Sequence, residues 1–172
     1  MMYKKKKSIR LAGFDYTTPG FYFVTISTAG YRNLFGRLGR NNCIVLSNVG
    51  WIAEQTWQRN DDIYDNFRND VFCLMPNHLH ALVQLGSQGR DLCPPPNLST
   101  VIRSFKGCVT KETRRQMGSR DLAIWQNNFH EKIVNSEREI ANVRNYILHN
   151  PMELECRFDE IRGWDRSIFS PR

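Results

Sequence analysis

Two of the four histidines in this 172-residue chain, His78 and His80, lie two positions apart in a segment of strand-like composition. Side chains two apart on a strand project from the same face of the sheet. Neutral imidazole is a good ligand for a divalent metal. Two imidazoles on one strand therefore offer a paired ligand set that one or two further groups could complete. On its own, this pattern is a weak indicator of a metal site.

A second candidate group lies towards the C-terminal end, where residues 136–149 have the apolar spacing of an amphipathic helix. Ser136 is the expected N-cap, and Glu139 completes a capping box. The apolar stripe consists of Ile140, Val143 and Ile147. Because Asn150 precedes a proline, we expect the helix to end at residue 149.

Tyr146 and Asn150 are four residues apart, so they share a helix face that borders the apolar stripe. A tyrosine is a poor nucleophile at neutral pH, because its ordinary pKa is about 10. A nearby metal can favour the phenolate and polarise a phosphate oxygen for attack. Alternatively, Tyr146 is an amphipathic residue at the edge of the core, and Asn150 simply ends the helix.

Hydrophobic patterning predicts the elements that must position these groups. The predicted strands cover residues 21–27, 67–75, 78–85 and 125–134, with a small hairpin within 35–46. The predicted helices cover residues 48–60, 98–117 and 136–149. Without the last helix the order is βαββαβ, which predicts an α+β, ferredoxin-like or RRM-like antiparallel sheet with helices packed on one face. We expect the paired histidines on the open face, opposite the buried Leu79, Ala81, Val83 and Leu85.

The formal net charge of +7 favours a polyanionic partner, of which nucleic acid is the commonest. Residues 1–13 form a basic arm, and the helix over 98–117 carries more cations than carboxylates. The candidate DNA-binding residues are Lys4, Lys5, Lys6, Lys7, Arg103, Lys106, Lys111 and Arg114. Such charges contact phosphates, although a basic exposed face can also serve solubility alone.

The five cysteines are widely spaced and include no Cys-x-x-Cys, which argues against a disulfide framework and fits reduced thiols in a cytoplasm. No apolar run has the length of a membrane span, and no apolar segment follows the basic start as in a secretory signal. We therefore expect a cytoplasmic protein without a membrane partner.

Residues 75–83, Met-Pro-Asn-His-Leu-His-Ala-Leu-Val, resemble the HUH motif of the IS200-like single-tyrosine transposases. Residues 146–151, Tyr-Ile-Leu-His-Asn-Pro, resemble the tyrosine helix of the REP-associated branch of that superfamily. Further similarity runs through residues 104–106 and 125–134. The resemblance covers roughly residues 10–155 in order and spacing.

The resemblance implies an enzyme that cuts and rejoins single-stranded DNA folded into hairpins, such as REP-like inverted repeats. It implies that Tyr146 is the nucleophile, leaving a 5′-phosphotyrosine link and a free 3′-OH. It further implies that His78, His80 and Asn150 hold Mg²⁺ or Mn²⁺. The family includes monomers and homodimers with shared active sites, and the sequence does not distinguish them.

On this basis residues 14–155 form the catalytic domain and residues 156–172 a C-terminal tail. Relatives often carry a tryptophan shortly after the Asn-Pro pair, whereas this chain continues Met-Glu-Leu-Glu. The resemblance is therefore weakest at the tail.

Two other functions fit parts of the pattern. A non-catalytic module could keep the fold and bind single-stranded nucleic acid by charge and stacking. A zinc hydrolase could use His78 and His80 with a carboxylate or Cys73, but no third ligand lies at a typical zinc spacing. Binding alone does not require His78, His80, Tyr146 and Asn150 together, so the set favours the enzyme.

Overall fold

The computed structural model describes residues 18–40, 43–86, 96–118 and 121–161, with side chains described as far as Asn150. In chain order, its strands and helices are β1 (Gly20–Ser27), β2 (Gly36–Leu38), β3 (Ile44–Leu46), α1 (Asn48–Gln58), α2 (Asn60–Ile63), β4 (Phe67–Met75), β5 (His78–Leu85), α3 (Leu98–Met117), β6 (His130–Val134) and α4 (Glu137–Ile161). Among the described residues, no helix combines the length and apolarity needed to cross a membrane.

Four strands form an antiparallel sheet in the order β4-β5-β1-β6, and β2 pairs with β3 in a separate hairpin. The first and third strands of the βαββαβ unit, β1 and β5, therefore occupy the centre of the sheet. This arrangement confirms the predicted α+β fold class. It also places β1 between the histidine strand on one side and β6 on the other.

One face of the sheet packs against α1 and α3 and forms the main core. The alternating residues that β1 and β5 bury there are Tyr22, Val24, Ile26, Leu79, Ala81, Val83 and Leu85. Each large apolar side chain buried in this way contributes about 1.5–3 kcal/mol relative to exposure. The predicted buried face of β5 is thus confirmed, and its alternate residues, including both histidines, face the other way.

The last helix, α4, packs on that other face of the sheet. Its Ile140 and Ile147 form a smaller buried cluster with Leu82 of β5 and Val134 of β6. The βαββαβ pattern left this helix without a position. Its apolar stripe places it across the face that carries the histidines.

The prediction that this helix ends at residue 149 is wrong, because α4 continues through Asn150 and Pro151 to Ile161. Proline fixes φ near the helical value, and inside a helix it removes one backbone hydrogen bond. The restriction that it places on the preceding residue is a bias that a helical context can override. The helix also crosses the predicted domain boundary at residue 155.

The predicted strand over residues 125–134 is correct only from His130 onwards. Trp125 forms an isolated bridge with Thr28, and Asn128 has a φ of 67°. Asparagine tolerates this left-handed conformation, which interrupts a strand. Residues 126–129 therefore form a loop beside the sheet.

Two helical glycines offer a test of this packing. In Gly50→Ala the new Cβ would overlap the Phe35 carbonyl oxygen, so we expect a loss of about 1–3 kcal/mol of unfolding free energy. Gly107→Ala is the matched control, because Gly107 of α3 has open space around it. It should stabilise the protein by up to about 1 kcal/mol. Urea unfolding measures both, and equal effects of the two variants would contradict the described contact.

Candidate active site

His78 and His80 project from the same face of β5, with ring centroids 4.4 Å apart. Nδ1 of His78 lies 2.7 Å from Asn77 Oδ1, to which it can donate. Nδ1 of His80 lies 2.8 Å from the hydroxyl of Thr25, the residue paired with it on β1. Because both Nδ1 atoms are engaged by side chains, the two Nε2 atoms are the ones available to a metal or a substrate.

Both imidazoles are neutral at physiological pH. Burial lowers the pKa of His78 to about 4. Burial, together with the adjacent His78, lowers the pKa of His80 to about 3. The charged form is disfavoured because the protein replaces the water that would solvate it. Neutral imidazole is the form that binds a metal ion.

The hydroxyl of Tyr146 on α4 lies 3.4 Å from Nε2 of His80. The ring centroids of Tyr146 and His80 are 5.4 Å apart. The ring of Phe23 on β1 contacts both, with centroid distances of 5.2 Å to His80 and 5.9 Å to Tyr146. Tyr146 is nevertheless 40% exposed. The structure therefore brings the tyrosine and the histidines of one chain together, with the tyrosine open to a large substrate.

A bidentate ion pair helps to hold α4 in this position. Nε and Nη2 of Arg144 donate to the two carboxylate oxygens of Asp70 at 2.6 Å and 2.9 Å. Asp70 lies at the irregularity of β4 between Asn69 and Val71, where the pairing with β5 shifts register. This two-pronged geometry fixes orientation as well as distance. Arg144 is two residues before Tyr146, so the pair anchors the turn that carries the tyrosine.

The capping box predicted at the start of α4 forms, except that the Glu139 carboxylate accepts from the amide of Asn135 and not from that of Ser136. The hydroxyl of Ser136 accepts from the Glu139 amide at 3.2 Å, and the Glu139 carboxylate accepts from the Asn135 amide at 3.2 Å. The same carboxylate pairs with Lys132 of β6 at 2.5 Å. The helix is thus tied to β6 at its start and to β4 near the tyrosine.

Asn150 lies one turn after Tyr146 and is 7% exposed. Its Nδ2 has no hydrogen-bond partner among the described residues. Leaving a buried amide unpaired costs about 1–3 kcal/mol. Turning the amide over would put Oδ1, an acceptor and potential metal ligand, at that position. In the described residues no three His, Cys, Asp or Glu side chains gather as a metal site, so a third ligand to the histidines would be of another type.

The predicted DNA-binding cations do not line this site. Arg103, Lys111 and Arg114 are exposed on α3, which packs against the opposite face of the sheet. Lys111 and Arg114 flank an open groove of about 530 Å³ that also includes Trp125. The arm carrying Lys4, Lys5, Lys6 and Lys7 lies outside the described residues.

Lys106 differs from the other cations of α3, because its ammonium is turned towards the protein. It donates to the Gln126 carbonyl at 3.0 Å and to the Asn128 carbonyl, and it lies 5.8 Å from the centre of the Trp125 ring. Burial lowers the pKa of Lys106 to about 8. Its charge therefore holds the loop of residues 126–129 in place.

Sequence reasoning missed the residues that orient the histidines. Asn77 adjoins His78 in the sequence, so its hydrogen bond could have been proposed from proximity. Thr25 is 55 residues from His80, and the two become neighbours only through the register of β1 with β5. The Asp70–Arg144 pair spans 74 residues and likewise has no local signal.

A Haemophilus influenzae protein of uncharacterised function is 30% identical to this chain over 162 residues, which cover 86% of this chain and 88% of that protein. A second H. influenzae protein, named as a candidate REP-associated tyrosine transposase, is 25% identical over 107 residues. That match covers 60% of this chain and 59% of the relative. No known protein-family profile matches the chain.

Among solved structures, a REP-associated tyrosine transposase bound to a REP hairpin superposes with a TM-score of 0.55 and 18% identity. The match covers 96% of this chain and 77% of that one, and it establishes a shared transposase fold. The chain is thus similar in sequence to a relative named for the REP-associated tyrosine transposases, and it shares the fold of a solved member of that group.

The buried histidines predict a pH dependence of stability in the metal-free protein. The unfolded chain protonates these histidines near pH 6.5, whereas the folded protein does so only near pH 4 and pH 3. Between these values the unfolded state binds more protons, so the unfolding free energy should fall as the pH drops from about 7 to about 4. The slope should approach about 1.4 kcal/mol per pH unit for each histidine.

Urea unfolding in the presence of a chelator, repeated across this pH range, measures the slope. His80→Gln removes one titrating group and should flatten it. An unchanged slope in that variant would mean that His80 titrates alike in the folded and unfolded states.

Proposed function

We propose that this protein cleaves and rejoins single-stranded hairpin DNA through a covalent link to Tyr146. One observation carries the proposal, namely the Tyr146 hydroxyl lying 3.4 Å from Nε2 of His80, whose ring adjoins that of His78. The similarity to REP-associated tyrosine transposases in sequence and fold supports the same chemistry.

In the proposed reaction the Tyr146 oxygen attacks the scissile phosphorus. The bond from the tyrosine oxygen to phosphorus forms as the bond to O3′ breaks, and the tyrosine proton ends on the departing 3′ oxygen. The products are a 5′-phosphotyrosine and a free 3′-OH, and the reverse attack rejoins a strand. The exposure of Tyr146 admits the DNA backbone, while Thr25 and Phe23 fix the His80 ring beneath it.

The donor set fits a divalent cation held by His78, His80 and Asn150. Three observations support the fit: side chains hold both Nδ1 atoms, both rings are neutral, and Nδ2 of the buried Asn150 has no described partner. A bound Mg²⁺ or Mn²⁺ would polarise a phosphate oxygen and favour the phenolate. Two imidazoles suit Mn²⁺ better than Mg²⁺, which prefers oxygen ligands.

A zinc hydrolase has less support. Among the described residues, no three His, Cys, Asp or Glu side chains are placed to hold a metal ion together, although Cys73 of β4 pairs with His80 of β5. Burial also raises the pKa of the Cys73 thiol to about 11, which disfavours the thiolate that zinc would need.

The proposed substrate is hairpin DNA, since the solved relative is bound to a REP hairpin. Arg103, Lys111 and Arg114 lie away from the histidines and would contact phosphates of the stem, and the Lys4–Lys7 arm would add further contacts. Because Tyr146 meets His80 of its own chain, a monomer would suffice for cleavage. Such a substrate would place the protein in the cytoplasm.

Tyr146→Phe tests the nucleophile. Wild-type protein incubated with labelled single-stranded hairpins and Mn²⁺ or Mg²⁺ should give a covalent adduct on a denaturing gel, and the variant should give none. Its affinity for DNA should stay within about twofold, because phosphate contacts dominate affinity. Tyr31→Phe is the matched control, since Tyr31 is 61% exposed and is not one of the site residues.

An adduct with Tyr146→Phe would refute the assigned nucleophile. Tight binding by the wild type without an adduct on any hairpin from the flanking DNA would instead support a non-catalytic binding module.

The salt dependence of binding separates the two kinds of cation on α3. Arg103→Gln, at an exposed cation of α3, should reduce the slope of log affinity against log salt by about 0.9, as expected for one lost contact to a duplex phosphate. Lys106→Met should leave the slope unchanged, because its charge is already engaged by carbonyls. Fluorescence anisotropy over a salt series measures both. Equal reductions would show that Lys106 contacts DNA directly.

A further inference from the structure

A small polar recess lies beside the histidines on the same face of the sheet. It is lined by Thr25 and Ser27 of β1, His130 of β6 and the loop of residues 126–129. Its volume is about 20 Å³, which is room for about one water-sized group of a ligand and not for a whole nucleotide. The proposed mechanism leaves the recess without a role.

The backbone of the recess is fixed at several points. The Gln126 amide donates to the Ser27 carbonyl at 2.9 Å. Lys106 donates to the Gln126 and Asn128 carbonyls, and the Trp125 indole donates to the Lys106 carbonyl at 3.1 Å. The loop is therefore held to both β1 and α3, even though it has no regular secondary structure.

The polar side chains of the recess, by contrast, do not help to hold this loop in place. These side chains are those of Ser27, Gln126, Asn127, Asn128 and His130. They form no hydrogen bond to any described residue. The amides of Asn127 and Asn128 are exposed, and a fixed backbone that presents solvent-accessible amides is an arrangement suited to recognising a ligand.

The recess is coupled directly to the proposed catalytic centre. Thr25 lines it and also bonds to Nδ1 of His80. Ser27 is the residue of β1 that pairs with His78. A group that fills the recess would therefore sit next to a phosphate bound at the histidines.

We propose that the recess reads the base edge of a nucleotide adjacent to the scissile phosphate, and that Lys106 is a positioning residue for it. This inference rests on the proposed function. A side-chain amide offers a donor and an acceptor side by side, which matches the paired groups on a base edge. A phosphate is a poorer fit, because Lys106 already donates to the Gln126 and Asn128 carbonyls, and Lys132, on the same face of β6 as His130, already pairs with Glu139.

The test uses full-length protein and a library of single-stranded hairpins with randomised positions on both sides of the cleavage point. Covalent adducts are recovered and sequenced. Wild-type protein should prefer one base by about tenfold at a position next to the cut, as one paired amide contact would give. Asn127→Ala and Gln126→Ala should reduce that preference to under about threefold.

Gln58→Ala is the matched control, because Gln58 is an exposed amide on α1, on the far side of the sheet. It should leave the base preference unchanged. Lys106→Met should lose the base preference as Asn127→Ala does. The slope of log affinity against log salt should stay unchanged in this variant. A loss of pooled cleavage without a change in preference would assign Lys106 a merely structural role.

Binding by the Tyr146→Phe variant provides a measurement that does not depend on cleavage. The same library, partitioned by equilibrium binding, should show the base preference, and adding Asn127→Ala to Tyr146→Phe should remove it. Preference that survives in Asn127→Ala and Gln126→Ala would overturn the recess proposal. If the wild type forms no adduct, the strand-transfer proposal fails, and the binding experiment still decides whether the recess reads a base.

Discussion

The hydrogen bond between Thr25 and Nδ1 of His80 is the interaction on which the site depends. A buried imidazole with an unpaired ring nitrogen would cost about 1–3 kcal/mol, and either of its nitrogens could face the tyrosine. Thr25 removes both problems, because it pairs with Nδ1 and leaves Nε2 facing the Tyr146 hydroxyl. Asn77 does the same for His78. The chemistry of the site thus begins with two neutral side chains that only orient others.

The two faces of the sheet have different roles, one in stability and the other in the candidate site. The face under α1 and α3 carries the large apolar core and supplies most of the stability. The other face has a smaller apolar cluster under α4, and its remaining area holds the histidines and the polar recess. A site on central strands, supported from behind by a packed core, keeps its geometry better than a site on loops. The Asp70–Arg144 pair extends this support to the tyrosine.

Much of this arrangement could be predicted from periodicity. The buried residues of β5 and the bounds of α3 follow from spacing alone, since their apolar residues recur at the periods of a strand and a helix. The conformational preferences of single residues gave wrong predictions at two places. Pro151 suggested a helix end, but α4 continues, and Asn128 interrupts a segment whose composition suggested a strand. In both cases the packing of the whole chain outweighed the preference of one residue.

The partners of the site residues could not be predicted, because they are remote in sequence. Thr25 reaches His80 through the pairing of β1 with β5, and Lys106 reaches residues 126–128 across the packing of α3. Charge alone suggested that Lys106 contacts DNA, yet its charge is directed inwards. Side-chain type indicates which chemistry is possible, while register and burial decide which group performs it.

The central position of β1 has a consequence for how the chain can vary. Because side chains alternate between faces, inserting or deleting one residue in β1 would move Thr25 and Ser27 into the core and bring Val24 and Ile26 to the histidines. The orienting group and the recess would disappear in one step. Substitutions can alter the recess or the surroundings of the histidines separately, whereas a change in the length of this strand cannot. The site can therefore diversify residue by residue, but only on a strand of constant length.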